Sequence, residues 1–261
     1  MIGQKILNEK LNNVTLNTLP TPLILIGDKG CGKHLFTSMI GEKLNINIID
    51  ITDNLNLEFI SQIYVEVNPY IYLINMDNVT LREQNIILKL LEEPPIRSFI
   101  ILVSTNIHNI INTVQNRCQK WYFENYTEDD LKQFKNNDNN IGINLDLTTT
   151  PGQVIELNNI DIQPIEELAN KIIDKISGAA IFNILTIPDK IAFKNEKDKI
   201  NLDIFKKYLL YCVKTRISTS WEEKYLKYYN IIKEYINNSY TPKVDQKLLL
   251  DNLLINLYEV K

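Results

Sequence analysis

Eight residues, Gly27-Asp28-Lys29-Gly30-Cys31-Gly32-Lys33-His34, stand between an apolar tetrapeptide, Leu23–Ile26, and a stretch of helical periodicity from Lys33 to Leu44. They match the phosphate-cradling pattern G-x-x-x-x-G-K-[ST] at every fixed position but the last. The pattern has narrow physical demands. A strand must deliver the chain into a tight glycine turn, and a helix must begin where backbone amides and a lysine can face an anion. Gly27, Gly30, Gly32, Lys33 and His34 are therefore the candidate binding residues, with Lys33 supplying the charge. The last position, which should carry the magnesium-ligating hydroxyl, is His34, and imidazole is a poor partner for a hard cation that prefers oxygen. Two readings stay open on the residues alone: a nucleotide loop, or a turn that has kept the loop's shape.

Short apolar runs alternate with helical stretches over the first half, the pattern of a parallel α/β sheet. Strands are expected at Leu23–Ile26, Ile46–Ile49, Tyr70–Ile74, Phe99–Ser104 and Trp121–Phe123. Helices are expected at 33–44, at Leu57–Val65 and at Leu81–Leu91, the last stopped by Pro94-Pro95. After Glu124 the character changes. Thr127-Glu128-Asp129-Asp130 puts a hydroxyl cap ahead of acids in a first turn, and Lys135–Asn140 is a polar, Asn-dense stretch read as a loop or frayed end. Beyond Pro151 the signals are helical, at Pro164–Ile176, Asp203–Ile217, Trp221–Ile236 and Val244–Tyr258. The organisation expected is an α/β domain over residues 1–125, a small helical domain over 126–185 and a helical bundle over 186–261.

Composition narrows the function. The 261 residues are 44% hydrophobic and carry a net charge of −4, so the chain can bury a core and is not a strongly basic, free-standing nucleic-acid binder. Three cysteines, Cys31, Cys118 and Cys212, contain no C-x-x-C pair, and the two histidines leave little for a metal centre. No metal site is expected. No apolar run approaches the roughly 20 residues that cross a bilayer. With no signal-peptide pattern read either, the expected location is the cytoplasm and no membrane partner is expected.

Asp77-Asn78-Val79-Thr80-Leu81-Arg82-Glu83-Gln84-Asn85-Ile86-Ile87-Leu88-Lys89-Leu90-Leu91-Glu92-Glu93-Pro94-Pro95 resembles the clamp-loader AAA+ family, in which a helix reading N-x-L-L-K-x-L-E-E-P-P follows an acidic strand. The likeness continues through Phe99–Val103 to Asn116-Arg117-Cys118-Gln119, similar to the family's S-R-C-Q element. Thr149-Thr150-Pro151-Gly152-Gln153 resembles a G-S-P-G-R element of the family's lid, and Lys243–Leu254 its closing collar helix. The resemblance implies an α/β AAA+ P-loop domain with a small helical lid domain, followed by an all-α collar domain.

The departures from the family pattern matter as much. Aligned from Thr80 backwards, the acidic pair of the active ATPases falls on Ile74 and Asn75, leaving only Asp77. The lid arginine that senses nucleotide falls on Gln153, and the segment from His34 to Tyr70 is too short for the relatives' zinc insert. The resemblance therefore implies the non-hydrolysing, delta-prime type of subunit, requiring no cofactor and binding ATP or ADP weakly at most. Implied partners are gamma/tau and delta subunits and, indirectly, the sliding clamp and primer-template DNA. Arg117, one of four arginines, falls where the family projects a catalytic arginine in trans towards a neighbour's γ-phosphate. Its plainer reading is a surface arginine paired with Glu124 or a helix end. Cys118 and Cys31 are read as small fillers, Glu92 and Glu93 as structural, and Tyr225–Tyr235 as an amphipathic helix rather than a base-stacking surface. The rival functions are an active gamma/tau-like ATPase and a stand-alone AAA+ adaptor resembling a helicase loader.

Overall fold

A computed structural model describes residues 1–135, 147–176, 186–188, 191–192, 200–220, 222–239 and 245–260. By internal contacts the chain divides into two compact units. One comprises Met1–Asp138 with Thr148–Asn158, and the other Asn139–Leu147 with Asn159–Lys261.

The first unit is built on a five-stranded parallel sheet of β1 (Leu23–Ile26), β2 (Asn47–Asp50), β3 (Tyr70–Asn75), β4 (Phe99–Ser104) and β5 (Gln119–Tyr122), in the order β2-β3-β4-β1-β5. The register sets Leu23 against both Ile101 and Gln119, and Ile26 against Ser104 and Tyr122. Central strands in such a sheet are covered on both faces, which is why β1 and β4 read as unbroken apolar runs. Every residue of both is buried. Their side chains alternate between two cores, as the period of a strand requires. Leu23, Leu25, Ile71, Leu73, Ile101 and Val103 meet Leu7 and Leu11 of α1 (Lys5–Asn13) and Phe36 and Ile40 of α2 (Lys33–Leu44). Ile24, Ile26, Tyr72, Ile74, Ile100 and Leu102 meet α3 (Leu57–Ile63), α4 (Leu81–Ile86), α5 (Leu88–Glu92) and α6 (Asn112–Gln115).

Local chemistry fixes the boundaries. Thr80 and Glu83 form a reciprocal capping box at the start of α4, as do Thr127 and Asp130 at the start of α7 (Glu128–Lys132). The single helix expected over Leu81–Leu91 is instead two segments with a turn at Ile87. The break falls at the β-branched pair Ile86-Ile87, just after Asn85, whose side-chain amide bonds back to the Leu81 carbonyl at 2.9 Å. β2 and β3 extend one residue beyond their expected ends, and β5 begins two residues early at Gln119. The segment α8 (Pro151–Asn158) completes this unit.

In the second unit, α9 (Gln163–Lys175) packs on the helix Leu202–Ser220, which packs on Glu223–Ser239, which packs on Gln246–Glu259. The helical character expected of the C-terminal region holds, with one difference. Ile191–Ala192 and Ile200–Asn201 form a short parallel pair, seated by the fully buried Ile191. Of Tyr225–Tyr235, the side chains of Tyr225, Tyr228 and Tyr235 are buried, so they serve the core and are closed to base stacking. The expected loop beyond Lys135, Trp221 and the stretch 240–244 lie outside the described residues. Among the described residues, no helix is long and apolar enough to cross a membrane.

Candidate functional site

The glycine loop does lie between β1 and α2. Gly30 and Gly32 adopt φ of 84° and 99°, in the left-handed region that a side chain rarely tolerates. Gly32 is the N-cap of α2, and no side chain caps that helix end.

The chain itself supplies a donor to each carbonyl along the loop. Lys33, only 7% exposed, donates through Nζ to the carbonyls of Gly27 and, at 3.0 Å, Asp28. Thr150 Oγ1 donates to the Lys29 carbonyl at 2.9 Å, and the Gly152 amide to that of Gly30 at 2.9 Å. Tyr126 Oη donates to the Cys31 carbonyl at 2.7 Å. Burial pushes the Tyr126 phenol up to about 12, so it remains a donor at any physiological pH. Burial raises the Cys31 thiol as well, against the opposing pull of the Lys33 ammonium.

Beyond the loop, His34 is exposed on the first turn of α2. At the end of β3 the Asn75 side chain accepts from the Asp77 amide at 3.2 Å and caps a 3-10 turn. Asp77 faces β4: Oδ1 accepts from Ser104 Oγ and the Thr105 amide, both at 2.9 Å. Gln153 Oε1 accepts from the Thr149 amide at 3.0 Å. Among the described residues no group of three metal-ligating side chains converges. A magnesium nucleotide calls for a hydroxyl after the lysine, an acid at the strand end and a free ammonium. His34, Asn75 and the tethered Lys33 do not fit that group.

Arg117 stands elsewhere. It follows α6 and precedes β5, whose first residue pairs with the first residue of β1, whereas the loop follows the last residue of β1. Four strand residues separate the two ends by about 13 Å at roughly 3.3 Å per residue. Its NH1 donates to the Thr113 carbonyl at 2.8 Å, and its NH2 pairs with Glu92 Oε1. The plainer reading therefore holds in its helix-end form: the ion partner is Glu92 at the end of α5, and not Glu124, whose backbone is bound by the Gln4 side chain. Cys118 is half-buried beside it, and burial lifts its thiol to about 12, consistent with a filler.

The structure therefore gathers Gly27, Gly30, Gly32 and Lys33 with Tyr126, Thr150 and Gly152, keeps His34 at the rim, and sets Arg117 at the other end of the strands. Tyr126 carried no recognisable signal in the sequence. Thr150 and Gly152 stood in the stretch resembling a lid element, but nothing there pointed to the loop.

Residues 36–127 match a family model described as DNA polymerase III, delta subunit, a stretch that includes Arg117 and excludes the glycine loop. No curated protein matches the chain. Among solved structures, a DNA polymerase III gamma subunit-related protein from Thermotoga maritima is 15% identical, with 97% of this chain and 99% of that one covered at a TM-score of 0.47. The Thermotoga maritima RuvB Holliday junction branch migration motor is 14% identical, with 99% of this chain and 86% of that one covered at a TM-score of 0.44.

Proposed function

We propose that this chain is a clamp-loader subunit of the delta-prime type, working in the cytoplasm with gamma/tau and delta subunits to place a sliding clamp on primed DNA. In this reading it does not hydrolyse ATP itself. It lends Arg117 to the site of an adjacent ATPase. The observation that carries the reading is the separation of Arg117 from the chain's own loop by the length of β1, within the stretch that matches the DNA polymerase III family model. An arginine so placed cannot serve its own loop, but it can serve one presented by a neighbour. The chemistry suits that use: a planar, permanently charged guanidinium stabilises charge spread over the equatorial oxygens of a transferring phosphoryl group. Its hold on Glu92 is half-exposed, a contact generally worth about 0–1 kcal/mol, which a triphosphate can displace. His34, Ile74 and Asn75 support the non-hydrolysing half of the reading: imidazole and an aliphatic side chain offer magnesium no oxygen, and the neutral Asn75 amide, already accepting from the Asp77 amide, supplies no carboxylate.

The test is reconstitution with gamma/tau, delta, clamp and primed DNA, comparing wild type with Arg117→Ala after assembly is verified. The expected result is a fall on the order of 10³ in turnover at the facing site. An unchanged rate in an intact assembly overturns the arginine's role. Failure of the wild-type chain to join the assembly overturns the subunit assignment.

A further inference from the structure

The misfit between the loop and a magnesium nucleotide has a geometric counterpart, and it stands independently of the subunit role. A Cβ built on Gly152 would lie 2.6 Å from the Cα and 2.9 Å from the carbonyl oxygen of Gly30. A Cβ built on Gly30 would lie 2.9 Å from Thr150 Oγ1 and 3.1 Å from the Gly152 Cα. Between Gly30 and Gly152 the contact is backbone to backbone, with no room for a methyl group, and the Thr150 side chain closes in beside it. A hydrogen bond from the Gly152 amide to Gly30 and another from Thr150 to Lys29 hold the approach, and Thr150 is 2% exposed. On the next glycine of the loop, a Cβ at Gly32 would meet the Met1 methyl at 2.5 Å, so that side chain covers the start of α2. Lys33, meanwhile, is turned back onto the Gly27 and Asp28 carbonyls.

We propose that the loop is a self-occupied socket: the segment Thr150–Gly152 takes the place over Gly30 that a nucleotide's phosphates would need, and the contact closes the loop to nucleotide. The loop has exchanged a diffusible anion for a piece of its own chain, and its work is to anchor the start of α8. The uncapped N-terminus of α2 and the Lys33 ammonium remain beneath the clasp as a latent anion site. No Ser or Thr follows Lys33, so binding uncovered there is independent of magnesium.

The experiment is equilibrium titration with ATP, with and without magnesium, of the full chain and of Gly152→Val. The backbone at Gly152 is outside the left-handed region, so valine is conformationally admissible there and acts through the clash with Gly30 alone. The expected result is no saturable binding by wild type up to millimolar ATP and binding at least about tenfold tighter by folded Gly152→Val. The gain is the same with or without magnesium and is lost when Lys33→Ala is added. Wild-type binding in the micromolar range that Lys33→Ala abolishes overturns the proposal, as does a folded Gly152→Val that gains nothing. If that variant does not fold, hydrogen exchange on wild type decides. Slow exchange of the Gly152 amide that ATP leaves unchanged supports the clasp, and an exchange rate that changes with ATP overturns it.

Discussion

Ser104 Oγ donates to Oδ1 of Asp77 at 2.9 Å, joining the ends of β4 and β3 on the edge of the sheet that carries the glycine loop. The Thr105 amide reaches both oxygens of the same carboxylate, at 2.9 and 3.0 Å. Asp77 is therefore spent on holding two neighbouring strand ends together. Asp77→Ala should cost about 1–2 kcal/mol in urea unfolding, while Asp77→Asn, which keeps an acceptor for Ser104, should cost about half as much. Equal losses for the two variants would show that the carboxylate's charge, and not its geometry, makes the link.

Arg117→Ala should behave in the opposite way in the isolated chain. Both Arg117 and Glu92 are substantially exposed, at 35% and 50% of their side chains, so their pairing contributes about 0–1 kcal/mol. Denaturant midpoints of wild type and variant should nearly coincide. A loss of several kcal/mol would mean the arginine is a structural pin.

The thiols should be inert. Burial lifts Cys118 to about 12 and Cys212 to about 11, and moves Cys31 in the same direction. At pH 8 a thiol of pKa 12 is thiolate on the order of 10⁻⁴ of the time, against about a quarter for an ordinary one. Iodoacetamide followed by intact mass should leave the native chain unlabelled over the minutes in which the denatured chain takes up three equivalents. Rapid single labelling of native protein at Cys118 would contradict its placement.

Helix capping should leave a signature in acid. The hydroxyl and amide of Thr80 hold the Glu83 carboxyl below its ordinary range. A carboxylate whose folded pKa is lowered adds stability at and above its unfolded pKa, and that stability is lost as pH falls through the folded value. The melting-temperature gap between wild type and Glu83→Gln should therefore be widest at neutral pH and shrink by about pH 3. A gap that widens on acidification would reverse the sign and remove the box as its source.

The strands were legible because physics writes them plainly. A central parallel strand buries both faces, so Leu23–Ile26 and Phe99–Ser104 could be read almost to the residue. α1 was not legible: Gln4 caps it without a side-chain bond, and only Leu7 and Leu11 are buried among its polar neighbours. Glu124 is the acid that lies near Arg117 in sequence, and nearness in sequence is all that a local pattern offers. The fold instead brings the end of α5 beside α6, a relation no local pattern encodes. The contact of Gly152 on Gly30 is still less visible from sequence, since it joins backbone atoms that any residue possesses, across more than a hundred positions of chain. Glycine at both ends is its only written trace, and glycine has many other uses.

The place of β1 in the sheet also bears on how the protein is made. Its four aliphatic residues leave the ribosome well before the strands that flank it, which begin only at Phe99 and Gln119. At roughly 5–20 residues per second, Leu23–Ile26 waits on the order of ten seconds for its neighbours to be synthesised. Through that interval β1 lacks both of its partner strands, and α1 and α2, which cover one of its faces in the finished sheet, are already made. The helix Lys5–Asn13, the element hardest to read in the sequence, is thus cover made before the strand that it shields and on which the sheet is later built.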